Sequence, residues 1–362
     1  TTDNNGAYAA DVSAVAIGAP LALASAVGSV AVGANTTANA LNALAIGTGA
    51  TASNTGSAAV GLSATASGAA AVAVGRLAAA SADYAVAIGG DAVGATAAIA
   101  SAARATAVGN NTDATAADAT AVGSGAQATT NAGATALGKA AVATGADATA
   151  LTGSTASGSN SLASGFATAA AAGARAHGVG TSAEAAYADA MGNGAKATNR
   201  GEQVLAAGMH NSEAGSAQVG TIHALLRTTN ATETALTPGA GTVTWTPPAA
   251  GTYMCDVLVV ARFESNGGGG AGVANECMTW KFTMAVRKTV GNDAAVGVLR
   301  NYEGSTVAEG VNIPAYYDGA GAKYALQVES PSGDINVLGT GVANENLRWS
   351  ARIDYVSVAT AT

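Results

Sequence analysis

The chain has 362 residues, of which 97 are Ala and 48 are Gly, while only 15 are aromatic. Charged residues make up 10% against roughly 25% in ordinary soluble domains; this excludes a conventional enzyme domain with bulky core side chains spread along the chain, and a hydrophobic fraction of 49% argues equally against disorder. The net charge is −8 with no basic run, which excludes nucleic acid as the main partner because phosphate contacts need clustered Lys and Arg.

Residues 1–10 read as a lead-in beginning on Thr rather than Met, as expected of a processed chain or a fragment. From residue 11 to 209 a block of apolar-Ala-apolar-Gly recurs. It ends at Gly18, Gly33, Gly47, Gly61, Gly75 and Gly89, then at Gly109, Gly123 and Gly138, with weaker copies at Gly153, Gly165, Gly178, Gly192 and Gly208. From Gly18 to Gly89 the steps are 15, 14, 14, 14 and 14 residues. The 20 residues from Gly89 to Gly109 hold six extra residues, assigned to a loop around "GATAAIASAARA".

Ala favours helix, but a Gly every 14 residues costs roughly 0.8–1 kcal/mol each in a helix interior. Within each block the larger residues alternate with Ala, the period of two expected of strands. A second alternating stretch, such as "ATASG" at 64–68, fills the other half of the repeat. Two short strands and two tight turns per repeat predict a parallel β-roll or solenoid, with Gly supplying a turn conformation closed to other residues. Ala fills the narrow interior. The pairs Val15 and Ile17, Val30 and Val32, Leu44 and Ile46, Val72 and Val74, and Val86 and Ile88 then form an outer apolar stripe. A stripe that long needs a partner surface, and a closed trimer of identical chains is the simplest one.

The weaker blocks place polar residues on this stripe: Arg175, His177 and Asp189. On a threefold axis they would form either a ring able to hold an anion, water or a metal, or a polar layer that fixes register. Thr106, Thr120, Thr135 and Thr149 make a threonine ladder, a pattern also found in ice-binding solenoids; here it falls on the presumed interface. No metal-ligand spacing and no cofactor motif are present, and His177, His210 and His223 sit in no catalytic motif. No enzyme activity is expected, although acids from separate loops could converge as in a glycosidase. No apolar run is long enough to span a membrane, so no membrane insertion is expected.

Residues 210–222 read as a neck and 223–362 as a separate all-β domain, a β-sandwich or jelly roll of seven to nine strands. Eleven of the 15 aromatics lie after residue 217. Alternating runs at 253–263, 278–287, 323–329 and 347–358 are separated by turn signals such as "TPPAAG" and "SPSG". Trp245, Trp280 and Trp349 read as core. Cys255 and Cys277 read as two buried thiols, with a cross-strand disulfide the alternative. Receptor-contact candidates are Asn266 and Gly268 in the "NGGGGAG" stretch, and Tyr316 and Tyr317 in "NIPAYYDGAG", since loops on a rigid scaffold commonly carry recognition.

The blocks "SVAVGANTTANA" and "AVAIGGDAVGATA" resemble the head repeats of YadA-type trimeric autotransporter adhesins. That resemblance implies a left-handed parallel β-roll, trimerised with its Val and Ile toward the axis. The segments "GSAQVGTIHALLRTTNATETALTP", "GTYMCDVLVVAR" and "ENLRWSARIDYVSV" resemble the C-terminal domain of phage tail fibres. Together these imply a homotrimeric, extracellular virion fibre that contacts other virion proteins and a host-surface glycan or protein. A bacterial adhesin head and a glycan-degrading fibre are the alternatives; the sequence shows no heptad stalk and no amphipathic-strand anchor for the first.

Overall fold

The computed structural model describes residues 6–90, 97–208, 214–215, 217–228, 233–235, 237–238, 245–247, 251–266, 277–288, 295–301, 306–308, 311, 313, 325–330, 335–340 and 345–359. All of the described regular structure is β, and the chain divides into two compact units, residues 1–169 and 170–362.

In the first unit each repeat contributes one three-residue strand and one two-residue strand, each paired in parallel with its counterpart in the next repeat. Val30–Val32 lies against Leu44–Ile46, with Val30 opposite Leu44, Ala31 opposite Ala45 and Val32 opposite Ile46. Thr37–Ala38 lies likewise against Thr51–Ala52. The central Ala of each three-residue strand and the second residue of each two-residue strand point inward: Ala31, Ala38, Ala45, Ala52, Ala59 and Ala66 are all fully buried. A coil this narrow favours Ala at these positions at native packing density. Occasional inward hydroxyls bond to backbone, as Ser57 Oγ donates to Asn54 O at 2.6 Å and Thr112 Oγ1 to Gly123 O at 2.9 Å.

Two kinds of corner close each coil. At the repeat glycine φ is far into the positive region, +119° at Gly47, and a Cβ there would lie 2.6 Å from Gly61 O in the next coil. Both the dihedral and the stacking therefore demand Gly. The other left-handed positions are more permissive, being filled by Asn35, Asn42, Ser63, Asp118 and even Tyr84.

The register corrects three details of the repeat. Ile99–Ala100 already pairs with Ala79–Ala80, so the extra residues fall between Gly89 and Ile99, and "SAARA" is an ordinary corner with Arg104 left-handed. Thr152, not Gly153, occupies the glycine position of its coil, for its N–H donates to Leu137 O at 2.8 Å. The last block is Gln203–Ala206, in which Ala206, two residues before Gly208, stands opposite Gly192. Tyr8–Ala9 also pairs with Leu23–Ala24, so pairing begins inside the segment read as a lead-in.

The second unit begins with the coil strands Arg175–His177, Asp189–Gly192 and Gln203–Ala206. The pairing then changes direction: Gln203–Ala206 is followed by Gln218–Thr228 running antiparallel, with Leu205 opposite Val219. Sheet structure thus begins at Gln218, within the segment read as a neck. Glu345–Ala359, Gly251–Asn266, Cys277–Lys288 and Ala295–Asn301 follow in that order across one antiparallel sheet. A three-stranded sheet of Glu233–Ala235, Asn336–Thr340 and Ala325–Glu329 makes the second layer. Trp245, Tyr253, Phe282, Trp280 and Trp349 fill the space between with Leu326, Val328 and Val337. The three tryptophans are core as expected, and Trp280 stacks on Trp349 at 5.5 Å. The cysteines are free; Cys255 is buried but Cys277, at a strand start opposite Arg262, is exposed. The expectation of two buried thiols thus fails at Cys277, because its strand parity sends alternate residues outward.

Candidate functional site

Three regions bear on function: the outer columns of the coils, the polar positions on the later coils, and the junction at the end of the repeat. Strand parity sets the first. Because the central Ala faces in, its two neighbours face out, and parallel in-register pairing stacks them into two columns. One runs Val15, Val30, Leu44, Ala58, Val72, Val86 and then through Thr106, Thr120, Thr135 and Thr149. The other runs Ile17, Val32, Ile46, Val60, Val74 and Ile88. In one chain these side chains are accessible, Val15 at 42% and Ile17 at 57%. All four threonines share one column, whereas block counting placed Thr149 one residue out. Apolar Val108, Val122 and Leu137 accompany them in the neighbouring column.

In the second unit the same repeat positions turn polar. Arg175 stands opposite Asp189, and Nη2 lies 2.8 Å from Oδ2. The pair ties one coil to the next within one chain. His177 stands opposite Met191 in the other column. Among the described residues no group of three or more His, Cys, Asp or Glu is placed to hold a metal.

The junction went unseen in the sequence. Glu202 is fully buried, in the inward column occupied by Ala174 and Ala188 in earlier coils. Its Oε2 accepts from Thr198 N at 2.7 Å, Asn199 N at 2.9 Å and Asn199 Nδ2 at 3.1 Å. Its Oε1 accepts from the Tyr355 hydroxyl. Burial raises the Glu202 carboxyl above its ordinary value, against the pull of these four donors, and burial also raises the Tyr355 hydroxyl.

Gln218 completes the cap. Its amide accepts from Lys196 N and donates to Lys196 O, each at 2.9 Å, and Nε2 also donates to Tyr355 Oη at 3.0 Å. One side chain thereby meets both backbone groups that a further coil would have paired. Asn199 does the same to Thr246, accepting from its N–H at 3.0 Å and donating to its carbonyl at 3.3 Å. Gly220 makes room for Tyr355, since a Cβ there would lie 2.4 Å from the ring. An open sheet edge is a template for aggregation, and this cluster closes it. A signal was available: Glu202 is an acid in a column of Ala and Ser.

Of the receptor-contact candidates, Asn266 ends the Gly251–Asn266 strand opposite Glu345. Gly268, Tyr316 and Tyr317 lie outside the described residues, as does His210.

With this geometry in place, the repeats can be compared with known proteins. Residues 24–50, 38–64, 52–78, 66–92, 100–126 and 130–151 each match the YadA head domain repeat family. In these stretches the coils are similar to YadA head repeats. The matched stretches lie within the first unit. Among solved structures the chain is similar to the crystal structure of the Acinetobacter baumannii phage AM24 tailspike protein, at 9% identity and TM-score 0.23, over 90% of this chain and 68% of that one. No curated protein matches the chain.

Proposed function

We propose that this chain is a structural fibre of a bacteriophage virion: a homotrimer joined along its outer stripe, extracellular, held to other virion proteins, and attaching to a host-surface glycan or protein through its C-terminal domain. The observation that carries the reading is the inversion of side-chain size. The coils bury Ala completely and leave Val, Ile and Leu facing out. A monomer gains nothing from that arrangement, whereas rotational association buries the same stripe on every copy.

The likeness of "ENLRWSARIDYVSV" and its companion segments to phage tail-fibre domains supports the virion over a bacterial adhesin head. The mechanism is binding without covalent chemistry, with three copies adding avidity. Light scattering on the full chain tests assembly: a mass three times 34.2 kDa is expected, and a monomer overturns the reading. Attachment is tested with the labelled full chain on bacterial cells. Saturable binding is expected, and its absence across hosts would leave only a structural role.

A further inference from the structure

After His177 the outer column is apolar again, and it runs on past the last coil. In the second unit Met191 stands opposite Leu205, Leu205 opposite Val219, Val219 opposite Val356, and Val356 opposite Met254. The change from parallel to antiparallel pairing keeps the row intact because each crossing preserves strand parity. All five side chains are exposed, between 45% and 57%, and they line a shallow depression of about 650 Å³. A contiguous exposed apolar row of this kind on a soluble domain marks an interaction site.

The next rows on the same face carry charge. Asp354 stands opposite Asp256, and two residues along, Arg352 and Lys281 each stand opposite Leu258. Acid and base therefore run side by side beside the apolar row.

We propose that this face of the terminal sheet is an interface between copies of this same chain, so that the terminal domains pack on one another through Met191, Leu205, Val219, Val356 and Met254. The occupant follows from continuity: the row begins on the coil position that forms the outer stripe, and whatever covers Met191 and Leu205 on the coils meets Val219, Val356 and Met254 next. The charge pattern fits the same occupant. Arg352 Nε and Asp354 Oδ2 already pair within one chain at 2.8 Å; in a ring of identical chains, where one edge of a face meets the opposite edge of its neighbour, Asp256 of one copy is set toward Lys281 of the next. The proposal rests on the homotrimer reading and extends it from the coils to the terminal domain.

Cysteine cross-linking of the full chain separates the two. In a Cys277→Ser background, Val356→Cys and Leu205→Cys probe the terminal row, Ile46→Cys probes the coil stripe, and Tyr187→Cys, on an exposed corner, is the control. A short bismaleimide followed by a denaturing gel reads covalent dimer. The expected result is at least ten-fold more dimer from Val356→Cys and Leu205→Cys than from the control, with a trimer mass by light scattering. Dimer from Ile46→Cys alone overturns this inference and leaves the homotrimer standing. A monomer mass with no cross-link at any position overturns both.

Discussion

The Tyr355 hydroxyl, on the last strand of the chain, donates a hydrogen bond to Oε1 of Glu202, the residue that closes the last turn of the repeat. The two are 153 residues apart in sequence, and both are buried. Glu202→Ala strands the N–H groups of Thr198 and Asn199 together with the Tyr355 hydroxyl. At about 1–3 kcal/mol for each unpaired group, the three together set an expected loss of at least about 3 kcal/mol. Tyr355→Phe removes one donor and is expected to cost about half as much. Trp245, Trp280 and Trp349 all lie in the second unit, so tryptophan fluorescence in urea reports this unit alone. An unchanged midpoint for Glu202→Ala would refute the capping role.

The same residue sets a pH dependence. Burial places the folded carboxyl of Glu202 above its ordinary 4.5. The folded state then holds the proton more tightly than the unfolded state, so stability rises where the proton is bound. The Glu202 contribution is fully present below 4.5 and is lost as pH rises through the folded value. Relative to Glu202→Gln, the wild-type midpoint should therefore fall as pH rises above 4.5. A difference that is flat in pH, or that rises, contradicts this.

Glycines in the coil fall into two classes with opposite expected responses. Gly47→Ala meets both a φ of +119° and the Gly61 carbonyl of the next coil, and should cost at least about 1–3 kcal/mol from strain alone. Gly56 has a φ of +65°, and a Cβ added there would meet only Ala70 Cα, at 4.0 Å; it occupies the kind of corner that Asn35 and Asn42 already fill. Gly56→Asn should stay within about 0.5 kcal/mol. Thermal unfolding followed by circular dichroism compares them, and equal losses would reject the distinction.

The thiols offer a chemical check on strand parity. Cys277 is exposed, whereas Cys255 is buried with its thiol pushed up, mainly by burial. One thiol per chain should react with Ellman's reagent in the native protein and two in denaturant. Two fast native thiols would mean that the Cys255 face is open.

Much of this was readable in advance, and the reason is periodicity. Every coil is an independent vote for the same register, so Ala31, Ala45 and Ala59 identify the interior together although none could alone. The alternating runs 253–263, 278–287 and 347–358 of the terminal domain lie within observed strands for the same reason. Prediction weakened where periodicity lapses. Thr152 and Ala206 stand at glycine positions, and a search for glycines stepped past both. The strand Ala295–Asn301, with Gly297 inside it, carried too little alternation to be seen. Glu202 stood out only as an acid in a column of Ala and Ser; its meaning depends on Tyr355 and Gln218, which only the fold brings to it.

The Gln218 amide also has a bearing on how such a chain can vary. Of the coil backbone it meets only Lys196, and Asn199 meets only Thr246 across the junction. The cap therefore senses a single edge and carries no information about how many coils precede it. A gene that gains or loses one whole repeat presents the same edge to the same lid. Length is left free to drift in fourteen-residue increments while the terminus stays constant, so the two parts of the chain can vary separately.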